Sequence, residues 1–447
     1  AAVAHPKEGS VCCDLAIAVG ILLASGQINC REWLDDAIFL GALSTDGSVD
    51  YTNGILPMVE LAREKHFRSV FVPAVNVVEA TLIEGVTIYP VERLEQLVAH
   101  LNKERHIEAC QADPHLFAPV NEEVSVHDMV AVRGQEHVKR ALEVAASGRH
   151  HILLSGAPGS GKAMLARTLP SILPLLTIEE MLAITKIYSV SGMLPHNLPL
   201  ILQRPFRALP NTIGDTLLLG SGHPSRPGEV SLAHQGILFL DELSSFEWSL
   251  LEALRQTLEA KMVTLEGTEG MLSYPAHTLL LATVRPCPCG FLNDPIKECT
   301  CSATAITLYQ EHMRGPFLDC FDMHIEVPRI AYEKLADKRQ VERSAIIRAR
   351  VQAARARQLL RFQDTKLTCN AEIGFNEVPD FCQADALGEK LLKAATEQLH
   401  LSTRTSLRIL RLARTIADLA GSDMILANHV AEAIQYRSRI GMERSRT

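Results

Sequence analysis

The residues whose types and spacing most clearly allow chemistry are Gly156, Ala157, Pro158, Gly159, Ser160, Gly161, Lys162, Ala163 and Met164. Glycines at 156, 159 and 161 let successive backbone N–H groups close on phosphate oxygens. The helix that follows the loop adds the pull of its dipole, and Lys162 itself can reach β- and γ-phosphates. An apolar run at 151–155 precedes the loop and a helical pattern follows it, which is the strand, loop and helix order of a phosphate cradle. A turn that merely uses glycine is the competing reading, but it does not require those flanking elements. Further on, the string GILFLDEL ends an apolar strand on Asp241 and Glu242. There one carboxylate can hold Mg²⁺ and the other can polarise an attacking water. Acidic residues at strand ends are often only solvated, and it is their pairing with the glycine loop that favours catalysis. The expected ligands are ATP and Mg²⁺. One metal ligand is missing: the last position of such loops is Ser or Thr, and here it is Ala163. Binding and hydrolysis are therefore separate expectations.

Two further groups of residues stand out. Cys287, Cys289, Cys299 and Cys301 bracket a short loop as C-P-C-G and C-T-C. Four soft ligands suit a tetrahedral Zn²⁺ site, but the C-x-C spacing is tighter than the usual two-residue gap, so four buried or free thiols remain an equal reading. Between 338 and 361 lie eight basic residues and one Glu. Without interleaved aromatics this reads as a solvated or inter-subunit face in preference to a DNA contact.

These residues need elements to hold them. A chain of 447 residues exceeds one ordinary domain of about 100–200 residues, so two or three are expected. At 47% hydrophobic and 21% charged, its composition is globular, and it contains no apolar run of about 18 residues that could span a bilayer. A soluble protein with no membrane partner follows. The net charge of −8 argues against a polyanion-binding surface over the whole chain and confines any such surface to a local patch. Eleven cysteines without a secretory leader suit a reducing cytoplasm. The chain opens on AAVAHPKEGS without an initiator Met and reads as starting inside a domain.

Residues 1–98 alternate short strands and helices, including a helix near 56–65 and a strand at 69–73, and form a small α/β unit. Residues 99–124, charged and interrupted by Pro114 and Pro119, read as a linker. Residues 125–330 alternate apolar strands (151–155, 236–240, 277–283) with helical patterns, as a parallel sheet flanked by helices requires. Residues 331–447 are helical throughout and read as a lid.

The strings GQEHVKRALEVAASG, LPSILPLLTIEEMLAITKIYSVSG, RPGEVSLAHQGILFLDEL, PCPCG and RTIADLAG together resemble the ComM/YifB family of magnesium-chelatase-like AAA+ ATPases, nearly end to end. The resemblance implies an α/β P-loop AAA+ core with an all-helical C-terminal lid. It also implies a homo-oligomeric ring, a hexamer, that acts as a DNA helicase driving branch migration on single-stranded or branched DNA in natural transformation. The N-terminal strings PKEGSVCCDLAIAVGILLASGQI and GILPMVELAREKHFRSVFVPAVN resemble the second part of a Lon-protease-like domain. Val11 and Leu56 stand where the catalytic Ser and Lys of such proteases are aligned, and Ser10 is one place off, so no peptidase activity is expected.

Carried over by residue, Lys162, Asp241 and Glu242 match the family's nucleotide motifs, and Arg404 matches its lid sensor arginine, with Arg408 and Arg411 as neighbours. Three other positions depart. The family's sensor Asn is Arg285, its trans-acting arginine is Cys320, and PFRAPHHT is PFRALPNT, which keeps Arg207. Together with Ala163, these departures favour a second expectation, a nucleotide-binding scaffold or pseudo-ATPase. A chelatase-type metal-inserting subunit rests on the shared core alone and ranks last.

Overall fold

The computed structural model describes residues 11–29, 36–111, 127–195, 199–222, 225–267, 270–313, 315–330 and 341–437. Ser10, the side chain of Val11, most of the expected linker and residues 338–340 of the basic segment lie outside the described set.

The N-terminal unit is a three-stranded parallel sheet, β1 (Ala37–Phe39), β2 (Ser69–Pro73) and β3 (Thr87–Val91), in the order β1-β2-β3. Helices α1 (Asp14–Ala24) and α2 (Ile55–Glu64) pack against it. Every residue of β2 is buried, as a central parallel strand covered on both faces should be. Packing continues past residue 98: Leu101 and Ile107 are buried, and the Cys110 N–H donates to Ile88 O at 2.8 Å. The segment after 98 was read as linker because of its charges, but its first part closes the edge of this unit.

The central unit carries helix α3 (Glu136–Gly148), strand β4 (Ile152–Ser155), helix α4 (Lys162–Thr168) and helix α5 (Ile178–Ser191). Strands β5 (Phe206–Leu209), β6 (Ile237–Leu240), β7 (Leu279–Val284) and β8 (Met323–Glu326) join β4 in one five-stranded sheet. All pairings are parallel and the order is β8-β4-β7-β6-β5. The three interior strands, ILLS, LLLATV and ILFL, are almost wholly buried, so each reads as a continuous apolar run. Helices α6 (Trp248–Ala260) and α7 (Ala303–Met313) follow β6 and β7.

Four helices make up most of the C-terminal part: α8 (Ser344–Arg361), α9 (Ala386–Gln398), α10 (Thr403–Leu419) and α11 (Ala427–Gln435). They do not form a separate core. Val351, Leu412 and Ile416 share one apolar cluster with Val138, Leu142 and Leu154 of α3 and β4. Some arginines of α8 pair within the molecule. Arg350 pairs with Glu143 at 2.6 Å and Arg361 with Asp418, while the buried Arg355 donates to Thr368 O at 3.2 Å. Arg343, Arg350 and Arg357 stay exposed, as a solvated face requires, while Arg355 and Arg361 tie the helix to the rest of the molecule. Among the described residues, no helix is long and apolar enough to cross a membrane.

The N-terminal and central units are joined through a buried carboxylate. Glu79, 3% exposed, accepts from Ser189 of α5, from the Leu56 N–H at 3.2 Å and from Asn76 Nδ2 at 3.1 Å. Burial raises its carboxyl above the ordinary range, and these three donors work against that rise.

Candidate nucleotide site

The glycine loop runs from the end of β4 to the start of α4, and its glycines have separate reasons. Gly159 and Gly161 sit at φ +79° and +91°, a left-handed conformation costly for any residue with a Cβ. At Gly156 the restriction is space, since a Cβ there would lie 2.4 Å from Val327 O. Gln135 braces the loop from outside, its Nε2 donating to Ser160 O at 3.0 Å and Pro328 O at 2.9 Å. These contacts fix the shape of the loop.

Lys162 is 9% exposed, and its Nζ donates to the carbonyls of Gly156 at 2.6 Å and Ala157 at 3.0 Å. Burial lowers its pKa, opposed by the fields of Glu242 and Asp241, so the two motifs sense one another electrostatically. Ser160 Oγ is buried without a hydrogen-bond partner in the cradle. An orphaned hydroxyl beside a buried ammonium is a pair of groups that an anion in the cradle would satisfy. Ala157 is buried, Pro158 half-buried and Met164 exposed. Ala163 follows the lysine with no oxygen to offer.

Asp241 and Glu242 leave β6 at the same end of the sheet. The neighbouring strand β7 fixes them: Thr283 Oγ1 donates to Asp241 Oδ1 at 2.6 Å and accepts from the Glu242 N–H at 2.8 Å. Thr283 was not singled out in the sequence, because its role depends on the register that pairs Leu240 with Ala282. Asp241 is exposed and available to a metal. Glu242 is engaged: Ser244 Oγ donates to its Oε1 at 2.8 Å, and Arg285 Nε donates to its Oε2 at 2.6 Å. The hydrogen bond to Glu242 in turn raises the arginine's pKa. The residue standing at the expected sensor position therefore neutralises the expected water-polarising carboxylate.

Arg404 lies elsewhere. His151 and Asp322 precede β4 and β8, whereas the glycine loop follows β4, so the two sit at opposite ends of the sheet. Arg404 is exposed and lines a cavity of about 650 Å³ at the His151 end, together with Cys320, Asp322, Arg408 and Arg411. Burial pushes the Cys320 thiol up to about 12. Asp322, 8% exposed, takes Arg411 at 3.2 Å and Arg408 at 3.4 Å. Burial alone would raise its carboxyl, but Arg411 and His150 outweigh that and hold it far below the usual range. Arg207 is held by Glu229 through two contacts of 2.6 Å. The structure thus groups Lys162, Asp241 and Glu242 at one end, and Arg404 with Cys320 at the other.

The cysteine loop is the remaining feature. The Sγ atoms of Cys287, Cys289, Cys299 and Cys301 all lie within 4.8 Å of one another. Backbone N–H donors, Phe291 first, bring the Cys289 thiol down to about 5. Leu56, at the expected position of a Lon-type lysine, is fully buried in the N-terminal core.

Comparison with known proteins agrees with this layout. A family model described as magnesium chelatase, subunit ChlI, matches residues 128–335. The corresponding ChlI C-terminal model matches residues 341–437, and a third, subunit ChlI of Mg-chelatase, matches residues 1–76. The chain is 34% identical to competence protein ComM of Haemophilus influenzae over 97% of its length and 84% of that protein. It is 36% identical to YifB of Escherichia coli over 97% of its length and 83% of that protein. A short N-terminal likeness links it to an archaeal Lon protease of Thermococcus kodakarensis, 43% identical over 51 residues, which is 11% of this chain and 8% of that protein.

Proposed function

The chain belongs to the ComM/YifB family of magnesium-chelatase-like AAA+ ATPase-type proteins, and we propose that it binds ATP and assembles into a homo-oligomeric, six-membered ring that remodels DNA. One observation carries the nucleotide part: a buried Lys162 caps a glycine cradle whose shape Gln135 and Val327 already impose, with Asp241 and Glu242 fixed at the same end of the sheet. The backbone N–H groups of 159–163 and the Lys162 ammonium would hold the phosphates, and Asp241 would hold Mg²⁺. Bound ATP supplies a phosphoryl group open to attack by water. Glu242 accepts that water's proton only once Arg285 has moved off its carboxylate.

The position of Arg404 supports the ring reading. Within one chain it cannot reach its own glycine loop across the length of the strands. A head-to-tail ring presents its end of the sheet to a neighbour's phosphates. In that arrangement Cys320 faces the same phosphates without a charge, and Arg404 and Arg408 are the cations that remain. DNA remodelling rests on the relative named a competence protein and on the sequence resemblance.

A second reading has its own observation. The Arg285–Glu242 contact at 2.6 Å, with the absent hydroxyl at Ala163, favours a nucleotide-binding scaffold that turns over poorly. Steady-state ATP hydrolysis with and without single-stranded and forked DNA, measured alongside nucleotide binding, separates the two. DNA-stimulated turnover supports the motor, and tight binding without turnover sinks it. If Ala163→Thr, Arg285→Asn and Cys320→Arg together restore turnover, these positions are where activity was lost.

A further inference from the structure

The four cysteines are free thiols in a geometry that disulfides do not explain. The Sγ–Sγ distances are 3.4 Å between Cys287 and Cys289, 3.5 Å between Cys289 and Cys299, and 3.7 Å between Cys287 and Cys299. A disulfide needs about 2.05 Å. A tetrahedron of thiolates about 2.3 Å from a central Zn²⁺ has edges of roughly 3.8 Å, close to what the loop adopts. A second observation comes from the backbone. The Cys289 N–H donates to Cys301 Sγ at 3.3 Å, the kind of outer hydrogen bond that orients a metal-bound thiolate. The two C-x-C pairs approach from opposite ends of the 287–301 loop, and a shared central ligand would tie those ends together.

The same loop lies against the phosphate cradle. A Cβ at Gly290, where φ is +84°, would fall 2.6 Å from Pro158 Cδ, so glycine is what lets the C-P-C-G turn touch the cradle. Asp294, whose Oδ1 accepts from the N–H groups of Ile296 and Lys297, pairs through Oδ2 with Arg329 Nε at 2.7 Å. Arg329 Nη2 then donates to Pro158 O at 3.1 Å. Arg329 and Lys297 both lie over the ring of Phe291. The cysteine turn is thus joined to Pro158, the third residue of the glycine loop, by one steric contact and one ion-pair bridge.

We propose that Cys287, Cys289, Cys299 and Cys301 bind one Zn²⁺ as a tetrathiolate site, and that this site holds the 287–301 loop against Pro158 and so braces the nucleotide cradle. The zinc part stands apart from the nucleotide reading; the bracing part rests on the cradle's shape, not on hydrolysis. The site is structural: four thiolates close a tetrahedral coordination sphere and leave no position for a substrate. Metal binding of this kind is coupled to ordering of the loop that supplies the ligands.

The test uses the full chain expressed with added zinc. Elemental analysis is expected to give one zinc per chain, and a mercurial titration read with a chromogenic chelator should release it as four thiols are modified. Cys289→Ser should lose the metal, while Cys13→Ser, at an exposed thiol outside the cluster, should retain it. Hydrogen exchange without nucleotide should then show faster exchange in 287–301 and in 156–162 of Cys289→Ser, with the β2 amides of the N-terminal sheet unchanged as a folding control. Substoichiometric zinc, iron in its place, or four thiols that react freely in the native protein would overturn the site. Unchanged exchange in 156–162 after zinc loss would overturn the bracing. ATPase activity enters neither result, so failure of the motor reading and failure of the zinc reading are distinguishable.

Discussion

The two ends of the central sheet have been treated differently. At the end where β4 runs into the glycine loop, the parts that bind are kept: Gly156, Gly161 and Lys162 form a cradle, and Thr283 pins Asp241 and Glu242 beside it. At the end where β4 begins, the position expected to act on a neighbouring subunit is Cys320, and the nearby charges are drawn into a buried knot around Asp322. Binding depends on backbone shape and one lysine within a single stretch of chain. Action on a neighbour depends on charges that stay free at a surface. The first tolerates substitutions elsewhere, whereas the second, in the ring proposed above, would rest on Arg404 and Arg408.

If the ends are independent, they should be separable by perturbation, and acid should give the largest effect. His151, His234 and His324 all sit at the β4-start side of the sheet, and burial lowers their pKa values to about 4, 3 and 4 from an ordinary 6.5. Their native pKa values lie below their unfolded ones, so the unfolded chain binds the extra protons. Stability is fully present above pH 6.5 and falls as the pH drops towards about 4, by an expected total on the order of several kcal/mol. Thermal unfolding across that window checks it. His151→Asn, which keeps an acceptor for the Leu280 N–H, should flatten the slope. A slope that starts only below pH 4 would mean that these histidines are not held neutral.

Asp322→Ala should come next. It strips the carboxylate from beneath Arg408, Arg411 and His150, at a cost of about 3–5 kcal/mol of the kind expected when one partner of a buried pair is removed. Melting temperature should fall while the affinity for a fluorescent ATP analogue, measured well below the melting range, is retained. Lys162→Ala should do the reverse. Losing one or two charge-assisted contacts to phosphate at about 1.5 kcal/mol or more each weakens binding by roughly 10–100-fold, with the melting temperature held. If either variant moved both readouts together, the two ends would be coupled through the strands.

Much of the near end was legible in the sequence, and the reason is local. Strands β4, β6 and β7 are interior strands and so appear as unbroken apolar runs, and the glycine loop and DE pair are contiguous strings. The edge strands β5 and β8, reading FRAL and MHIE, are only partly buried and gave no such signal. What the sequence did not reveal is which distant charges meet. The pairing of Arg350 with Glu143, or of Arg411 with Asp322, joins residues far apart in the chain, and nothing local to either helix marks the partner. The position of Arg404 could not be read either, because a helical lid can lie over the phosphates or, as here, pack against α3 on the core.

The smallest expected effect tests the near end by itself. Arg285 and Glu242 form a partly exposed pair, 40% and 21% accessible at their side chains, and pairs of that kind contribute about 0.2–1 kcal/mol. Breaking it should therefore barely move the melting temperature. The same energy sets the kinetic gain: if Glu242 must leave Arg285 before it can accept a proton, Arg285→Asn raises turnover by roughly the free energy of that separation, about two- to fivefold. Glu242→Gln made in the Arg285→Asn background should abolish the gain, since the freed carboxylate is its cause. Nucleotide affinity should not change in either variant, because neither residue lies in the glycine cradle. A gain that persisted without Glu242 would place the effect of Arg285 on the phosphates instead, and the near end would then hold two cations competing for one anion.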